Sequence, residues 1–198
     1  YKHLKQLDST ATDAEVMAQI LEHQGGFTIN RLPAREGIDA KNRSIVTVAD
    51  SGEITLPELK NALVQLFNPT SLKPPEVALF YFSGHGLRED QGGIQQGFLA
   101  TTFSETKSYN NCLSLDWLRK LLRNSPVRQQ IVWLDCCYSG ELFNFAEAAP
   151  GQRDQGFNRC FIAASRDFEA AIAPRTSDHS LFTEALLQAL DYTKSISG

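Results

Sequence analysis

The sequence predicts an α/β fold, with a mostly parallel sheet covered by helices on both faces. Short apolar runs of strand length alternate along the chain with segments of helical periodicity. A length of 198 residues suits one domain with a sizeable core. Hydrophobic residues make up 42% of the chain and charged residues 21%, which are ordinary values for a globular protein. The composition therefore excludes a disordered or fibrous chain.

Four segments have the apolar spacing of helices. The first ends at Gly25, a helix-stop signal, and the second follows Thr55 and Glu58, which have the spacing of a capping box. The third begins after Ser114, a residue that favours the N-cap position. The helices are expected over 14–21, 59–67, 115–122 and 181–190.

Strands are expected where apolar runs are short and bounded by polar, glycine or proline residues. Residues 86–97 are polar and rich in glycine, and they are expected to form a loop. Together with the following residues 98–101, this loop is interpreted as a small hairpin or surface excursion. Short strands are expected at 27–32 and 44–48, and buried strands at 77–82, 130–134 and 160–164.

Two short strings follow two of these buried strands. Residues 81–86 read Tyr-Phe-Ser-Gly-His-Gly, and residues 135–140 read Asp-Cys-Cys-Tyr-Ser-Gly. His85 in the first string precedes Cys137 in the second by 52 positions. Ligands of a parallel sheet bind beyond the carboxyl ends of its strands, so both strings are expected at one binding edge.

The strings contain the groups needed for nucleophilic catalysis. A cysteine thiolate is a strong nucleophile, and a neighbouring imidazole both favours the thiolate and protonates a leaving amine. Backbone N–H groups must also stabilise the developing oxyanion, and the amides of Gly86 and Cys137 are the candidates. The alternative for either string alone is a buried structural cysteine or a turn histidine, but their order and spacing together favour catalysis.

Both strings resemble those of caspase-like cysteine peptidases of clan CD, a fold described as a three-layer sandwich. They are most similar to the metacaspase and prokaryotic orthocaspase branch, with its Tyr-Ser-Gly-His-Gly and Asp-x-Cys-x-Ser-Gly motifs. The resemblance extends from Leu4 to Leu190 and implies that Cys137, rather than Cys136, is the nucleophile and that His85 is the acid/base.

The resemblance also implies a substrate class. Metacaspase-like proteins recognise Arg or Lys with carboxylates, and here Asp13 and Asp135, with Ser83 as a polar wall, would form the substrate-binding pocket. The expected partners are proteins or peptides with Arg or Lys before the scissile bond. The alternative for Asp13 is an exposed residue in the first turn of a helix, where its charge is favourable to the helix dipole. The alternative for Asp135 is a structural hydrogen bond at the end of the strand.

Family members are often self-processed after the nucleophile strand, which makes Arg153, in a polar loop, the autoprocessing candidate. We expect a large-subunit-like part over about 1–145, a flexible processing loop over about 141–158 and a small-subunit-like part over about 159–198. The family's first central strand would lie before Tyr1, and we expect it to be missing from this sequence.

Composition and charge also indicate the ligand class, the cellular location and the need for cofactors. The net charge of −4, without a basic block, argues against nucleic acid as the main ligand, and no apolar run reaches membrane-spanning length. The four cysteines show neither a disulfide framework nor zinc-ligand spacing, which favours a reducing, cytoplasmic location. No cofactor or metal is expected, since the resemblance to orthocaspases implies calcium independence, and by analogy the protein is a monomer.

Two other functions are compatible with the pattern. The chain could be a catalytically silent scaffold or sensor with the same fold, although both dyad residues are present. It could also be an acyl or thioester hydrolase using Cys136 or Cys137, which should show an apolar acyl groove. Comparing cleavage of Arg, Lys and Asp reporter peptides separates these possibilities.

Overall fold

The computed structural model describes residues 1–71, 73–140, 158–164 and 178–191. The chain forms two compact units, the first made of Tyr1–Gln6 and Ile54–Ala171 and the second of Leu7–Glu53 and Ile172–Gly198. The histidine and cysteine strings both belong to the first unit. Arg153 and nearly all of the expected processing loop lie outside the described residues.

The described elements run in the following chain order. They are α1 (Thr10–His23), β1 (Ala34–Ile38), β2 (Ser44–Val48), α2 (Leu56–Phe67), β3 (Val77–Ser83), β4 (Gly86–Gln91), β5 (Ile94–Ala100), β6 (Cys112–Ser114), α3 (Leu115–Arg123), β7 (Gln129–Asp135), β8 (Asn158–Ala163) and α4 (Leu181–Leu190).

A parallel sheet in the first unit positions both strings. Its strand order is β3, β7, β8, and β7 pairs in parallel with both neighbours. Each strand is a predicted apolar run, and Ser83 at the end of β3 is the register partner of Asp135 at the end of β7. The α/β class is confirmed, and the residues that follow these two strands leave the sheet at the same edge.

The glycine-rich segment after His85 is more regular than the expected loop. Strands β4, β5 and β6 form a separate antiparallel sheet, in which β4 and β5 are joined by a two-residue turn at Gly92 and Gly93. Both glycines have positive φ, 63° and 82°, as a type I′ hairpin turn requires. The hairpin alternative of the prediction is therefore the one observed, and the hairpin is longer than expected because it includes the polar residues after His85.

The helices of the first unit begin where the capping residues predict. The Thr55 hydroxyl accepts from the Glu58 N–H, and the Glu58 carboxylate accepts from the Thr55 N–H, which completes the capping box. The Ser114 side chain caps α3 by accepting from the Trp117 N–H. Both helices pack into one core with β3, β5 and β7, whose buried members include Leu63, Phe67, Leu99, Leu118, Val132, Leu134 and Cys136.

The second unit contains α1, the antiparallel hairpin of β1 and β2, and α4. The first and last helices and β2 are confirmed predictions, but the strand expected at 27–32 is absent there and β1 begins at Ala34 instead. All five residues of β1 are exposed, so this strand forms through backbone pairing and has no hydrophobic signal. None of the helices described in the two units is long and apolar enough to cross a membrane.

Candidate active site

The parallel register brings the histidine and cysteine strings to neighbouring positions. Ser83 and Asp135 are the last paired residues of their strands, and the Gly84 N–H donates to the Asp135 carbonyl at 3.2 Å. His85 and Cys137 each follow two residues beyond the paired position in their own strand. The proposed base and nucleophile therefore leave adjacent strands at equivalent points.

Backbone contact joins the two strings beyond the strand ends. A Cβ atom added to Gly86 would lie 1.7 Å from the Cys137 carbonyl oxygen, far inside van der Waals contact. Two positions further along, the guanidinium of Arg88 lies over the Tyr138 ring, 5.1 Å from its centroid. The segment after His85 thus packs directly on the turn that carries Cys137, and only glycine at position 86 permits this approach.

The His85 ring is oriented by a backbone carbonyl near the start of the chain. Its Nε2 lies 2.7 Å from the Lys5 carbonyl oxygen. Because a carbonyl oxygen can only accept a hydrogen bond, Nε2 carries the hydrogen. In the neutral imidazole, Nδ1 is then the basic nitrogen, and it is this atom that can accept a proton from a thiol.

Tyr1 supports the same histidine. Its hydroxyl oxygen accepts from the His85 N–H at 3.0 Å, and its ring meets the imidazole edge-on with centroids 4.8 Å apart. The hydroxyl also lies against Gly84, where an added Cβ would be 2.3 Å away. Burial, together with the nearby Cys136, raises the pKa of Tyr1 to about 12, although the bond from His85 opposes that rise. Tyr1 is therefore a neutral acceptor at physiological pH.

Sequence reasoning missed both Tyr1 and the Lys5 carbonyl. They contact His85 across 84 and 80 positions of the chain. Neither contact follows from a local periodicity, and a backbone carbonyl has no residue-type signal.

The two adjacent cysteines have different environments. Cys136 is buried, with 2% of its surface exposed, and burial raises the pKa of its thiol well above the ordinary value. Asp135 and Cys137 add to this rise, while a hydrogen bond with Ser139 opposes it. Cys137 is half-buried and reaches the surface. Since the thiolate is the reactive form, the environment disfavours Cys136 as a nucleophile.

The residue after Cys137 adopts an uncommon backbone conformation. Tyr138 has φ of 55°, in the left-handed region that residues with a Cβ seldom occupy. The chain therefore turns sharply at the end of β7. Such strained positions persist only where the surrounding packing holds them, and here the contact with Arg88 contributes.

The ladder between β4 and β5 orients the Gly86 amide. Gly86 is paired with Leu99, while the Ala100 N–H donates to the His85 carbonyl at 2.9 Å. This is the pattern of a non-hydrogen-bonded antiparallel pair, in which the polar groups of the paired residues point outward. The Gly86 N–H is therefore directed away from β5, as an oxyanion donor would need to be.

The predicted substrate-binding residues divide between the two units. Ser83 and Asp135 are register partners in the first unit, so their side chains leave the sheet on the same face. Asp135 is 7% exposed and Ser83 is half-buried. Asp13 belongs to the second unit, where its fully buried carboxylate accepts from His179 and from the Ser180 N–H.

Among the described residues, no group of three or more His, Cys, Asp or Glu side chains is arranged to hold a metal ion. All four cysteines are free thiols.

The Trp133 side chain is 8% exposed and belongs to the core, as its position in a buried strand predicts.

Comparison with known families agrees with this geometry. The family model of the caspase domain matches residues 1–197. The chain therefore belongs to the caspase domain family, a family of cysteine peptidases that act on proteins. No match was found among curated proteins.

Proposed function

We propose that this protein is a cysteine endopeptidase in which Cys137 is the nucleophile and His85 the general acid/base, with cleavage after Arg or Lys. The observation that carries the proposal is the contact of Gly86 with the Cys137 backbone, because it joins the two strings into one site. Membership of the caspase domain family supports the same chemistry.

The proposed reaction begins with proton transfer from the Cys137 thiol to Nδ1 of His85. The thiolate attacks the scissile carbonyl carbon, forming an S–C bond and an oxyanion that the amides of Gly86 and Cys137 stabilise. As the C–N bond breaks, Nδ1 returns its proton to the leaving amine. The product of this half-reaction is a thioester on Cys137.

Hydrolysis of the thioester completes the cycle. Nδ1 of His85 accepts a proton from water, whose oxygen attacks the acyl carbon. The C–S bond then breaks to release the carboxylic acid, and Nδ1 returns its proton to the departing Cys137 sulfur. The Lys5 carbonyl keeps the Nε2–H tautomer through both half-reactions, which leaves Nδ1 available each time.

The proposed substrate preference rests on carboxylates. Asp135 is two residues before the nucleophile, and Ser83 lies beside it on the neighbouring strand. Asp13 is the proposed second acidic residue, on the basis of the sequence resemblance. Two carboxylates favour a cationic side chain, and a guanidinium most of all, since it can donate to both oxygens of a carboxylate.

This proposal is tested with reporter peptides that differ only in the residue before the scissile bond. We expect cleavage after Arg and Lys, little after Asp or the neutral isostere citrulline, and none by Cys137→Ala. Asp135→Asn should raise KM for the Arg peptide about tenfold or more. Asp116→Asn is the matched control, because this exposed carboxylate on α3 pairs with Lys120 and should leave KM unchanged. Preferential cleavage after Asp would overturn the pocket assignment, and full activity of Cys137→Ala would overturn the mechanism.

Self-processing after Arg153 is part of the proposal and rests on the sequence resemblance. Prolonged incubation should yield two fragments by intact mass spectrometry, whereas Arg153→Ala and Cys137→Ala should remain whole. Cleavage of the Cys137→Ala variant at the same rate would point to a contaminating peptidase and contradict self-processing.

A further inference from the structure

One face of β4 meets the turn after β7 at two consecutive residues. Side chains two positions apart in a strand point to the same face, so Gly86 and Arg88 share a face of β4. An added Cβ on Gly86 would lie against the Cys137 carbonyl oxygen. The Arg88 guanidinium lies 5.1 Å from the centroid of the Tyr138 ring. This face of β4 therefore contacts the backbone of one turn residue and the side chain of the next.

The Arg88 side chain is directed to this ring. Its register partner in β5 is Gly97, so no side chain lies opposite it on the neighbouring strand. Arg88 is half-buried, and within the described part of the chain its guanidinium has no salt bridge or hydrogen bond in addition to the ring contact. Truncation of Arg88 would therefore remove one contact and leave no described carboxylate without its partner.

Tyr138 has a backbone conformation that needs support from its surroundings. Its φ of 55° is unfavourable for a residue with a Cβ, and a cation–π contact offsets a cost of this order. Relaxation to a negative φ would rotate the peptide group that joins Tyr138 to Cys137. The carbonyl against which Gly86 packs belongs to this peptide group, so the same rotation would shift the Cys137 sulfur relative to Nδ1 of His85.

We propose that Arg88 is a positioning residue for the nucleophile, whose guanidinium holds the Tyr138 ring and so keeps the turn at Cys137 in its reactive conformation. This inference rests on the proposed function, in which Cys137 attacks the scissile carbonyl. Arg88 acts on the turn and not on the substrate side chain, so its loss slows the chemical step and leaves substrate affinity unchanged. Small displacements of a reacting atom lower the rate steeply.

Substitutions of Arg88 measure this effect with the Arg reporter peptide. In the full chain, Arg88→Ala should lower kcat about tenfold and leave KM within about twofold of the wild-type value. Arg88→Lys keeps a cation beside the ring and should restore kcat to within about threefold of wild type. Arg88→Met keeps the apolar stem without the charge and should have the low kcat of Arg88→Ala. The methionine variant also repeats the test if the alanine variant unfolds at the assay temperature.

Substitutions of Tyr138 separate the ring contact from a direct effect of charge. Tyr138→Leu should lower kcat about as much as Arg88→Ala, and Tyr138→Phe, which keeps the ring, should lower it less. The double variant with Arg88→Ala and Tyr138→Leu should be within about twofold of either single variant, because both substitutions remove the same contact. Fully additive losses would show that Arg88 acts through its charge alone and would contradict the proposal.

Lys60→Ala is the matched control, because Lys60 forms a similar contact away from the proposed site. Its Nζ lies 5.2 Å from the centroid of the Trp117 ring, and the two residues belong to α2 and α3. Both kcat and KM should keep their wild-type values in this variant. A loss of kcat equal to that of Arg88→Ala would indicate a general effect on stability and would contradict a specific role of Arg88.

The outcomes distinguish this inference from the proposed function. Wild-type kcat in Arg88→Ala and Arg88→Met, with no activity in Cys137→Ala, would overturn the role of Arg88 and leave the proposed function standing. A rise in KM with unchanged kcat would place Arg88 in substrate binding and would also contradict its role in positioning. Wild-type protein that cleaves no reporter peptide would overturn the proposed function and the role of Arg88 with it.

Discussion

Gly86 and Cys137 are in direct backbone contact, although 51 positions separate them in the chain. Gly86 opens β4 and Cys137 follows β7, so this contact fixes the spacing between the two halves of the proposed site. The close approach requires the absence of a side chain at position 86. The distance also explains why a glycine follows His85 directly in the first string.

Gly86→Ala is expected to abolish most activity. The new Cβ would fall 1.7 Å from the Cys137 carbonyl oxygen, so the backbone must move by more than about 1 Å, and such misplacement costs about a hundredfold or more in rate. Overpacking should also lower the free energy of unfolding by about 1–3 kcal/mol. Peptidase assays and thermal unfolding measure the two effects.

Gly37→Ala is the control for that substitution. Gly37 lies in β1, where an added Cβ would meet its nearest neighbour, Ile45, at 3.9 Å. Activity and stability should both be unchanged. Wild-type kcat/KM in Gly86→Ala would show that the close approach does not matter for the reaction.

Tyr1→Phe should impair the chemical step without changing substrate binding. The substitution keeps the ring beside His85 but removes the oxygen that accepts from the His85 N–H. Loss of one such hydrogen bond should lower kcat by up to about tenfold while KM stays constant. Tyr109→Phe provides the matched control, since its hydroxyl donates to the Arg88 carbonyl instead. An effect on KM alone would contradict the assignment of Tyr1 to histidine positioning.

Alkylation should distinguish the adjacent cysteines. Burial raises the pKa of the Cys136 thiol, so iodoacetamide at pH 7.5 should modify Cys137 and the exposed Cys160 and spare Cys136. Peptide mass spectrometry of the labelled chain locates the modification. Faster labelling of Cys136 than of Cys137 would reverse the assignment of the nucleophile.

Stability should decline at alkaline pH. The folded-state pKa of Cys136 lies above the unfolded value of about 8.5, so well below pH 8.5 the thiol is protonated in both states and its contribution is fully present. As pH rises further, the unfolded thiol ionises first, and the free energy of unfolding falls by at most about 1.4 kcal/mol per pH unit for this group. The melting temperature should therefore drop between pH 8 and 10.

The slope of that decline should be smaller in Cys136→Ala. Some slope should remain, because burial also raises the pKa of Cys112 and the pKa of Tyr1. Cys160→Ala, at an exposed position, should keep the wild-type slope. Identical slopes in the wild type and Cys136→Ala would contradict the burial effect.

Local patterns explain which features could be predicted from the sequence. The apolar runs predicted β3 and β7 because buried parallel strands are hydrophobic throughout. Their ends placed the strings of His85 and Cys137 at one edge of the sheet. The cap at Thr55 was equally visible, since the capping box lies within four consecutive residues.

Contacts between distant residues were not predictable in this way. Tyr1 and the Lys5 carbonyl contact His85 only because the start of the chain packs in the first unit. The partner of Asp13 is likewise 166 positions away, at His179. Strand β1 is exposed and has no hydrophobic pattern from which it could be predicted. It forms through backbone pairing with β2.

Covalent labelling with an arginyl chloromethyl ketone tests the central claim most directly. The reagent carries the proposed substrate side chain and forms a thioether with the nucleophilic sulfur. We predict one adduct, mapped to Cys137 by peptide mass spectrometry, with formation greatly slowed in His85→Ala and absent in Cys137→Ala. An adduct on Cys136 or Cys160 instead, or a rate unaffected by His85→Ala, would contradict a dyad formed by Cys137 and His85.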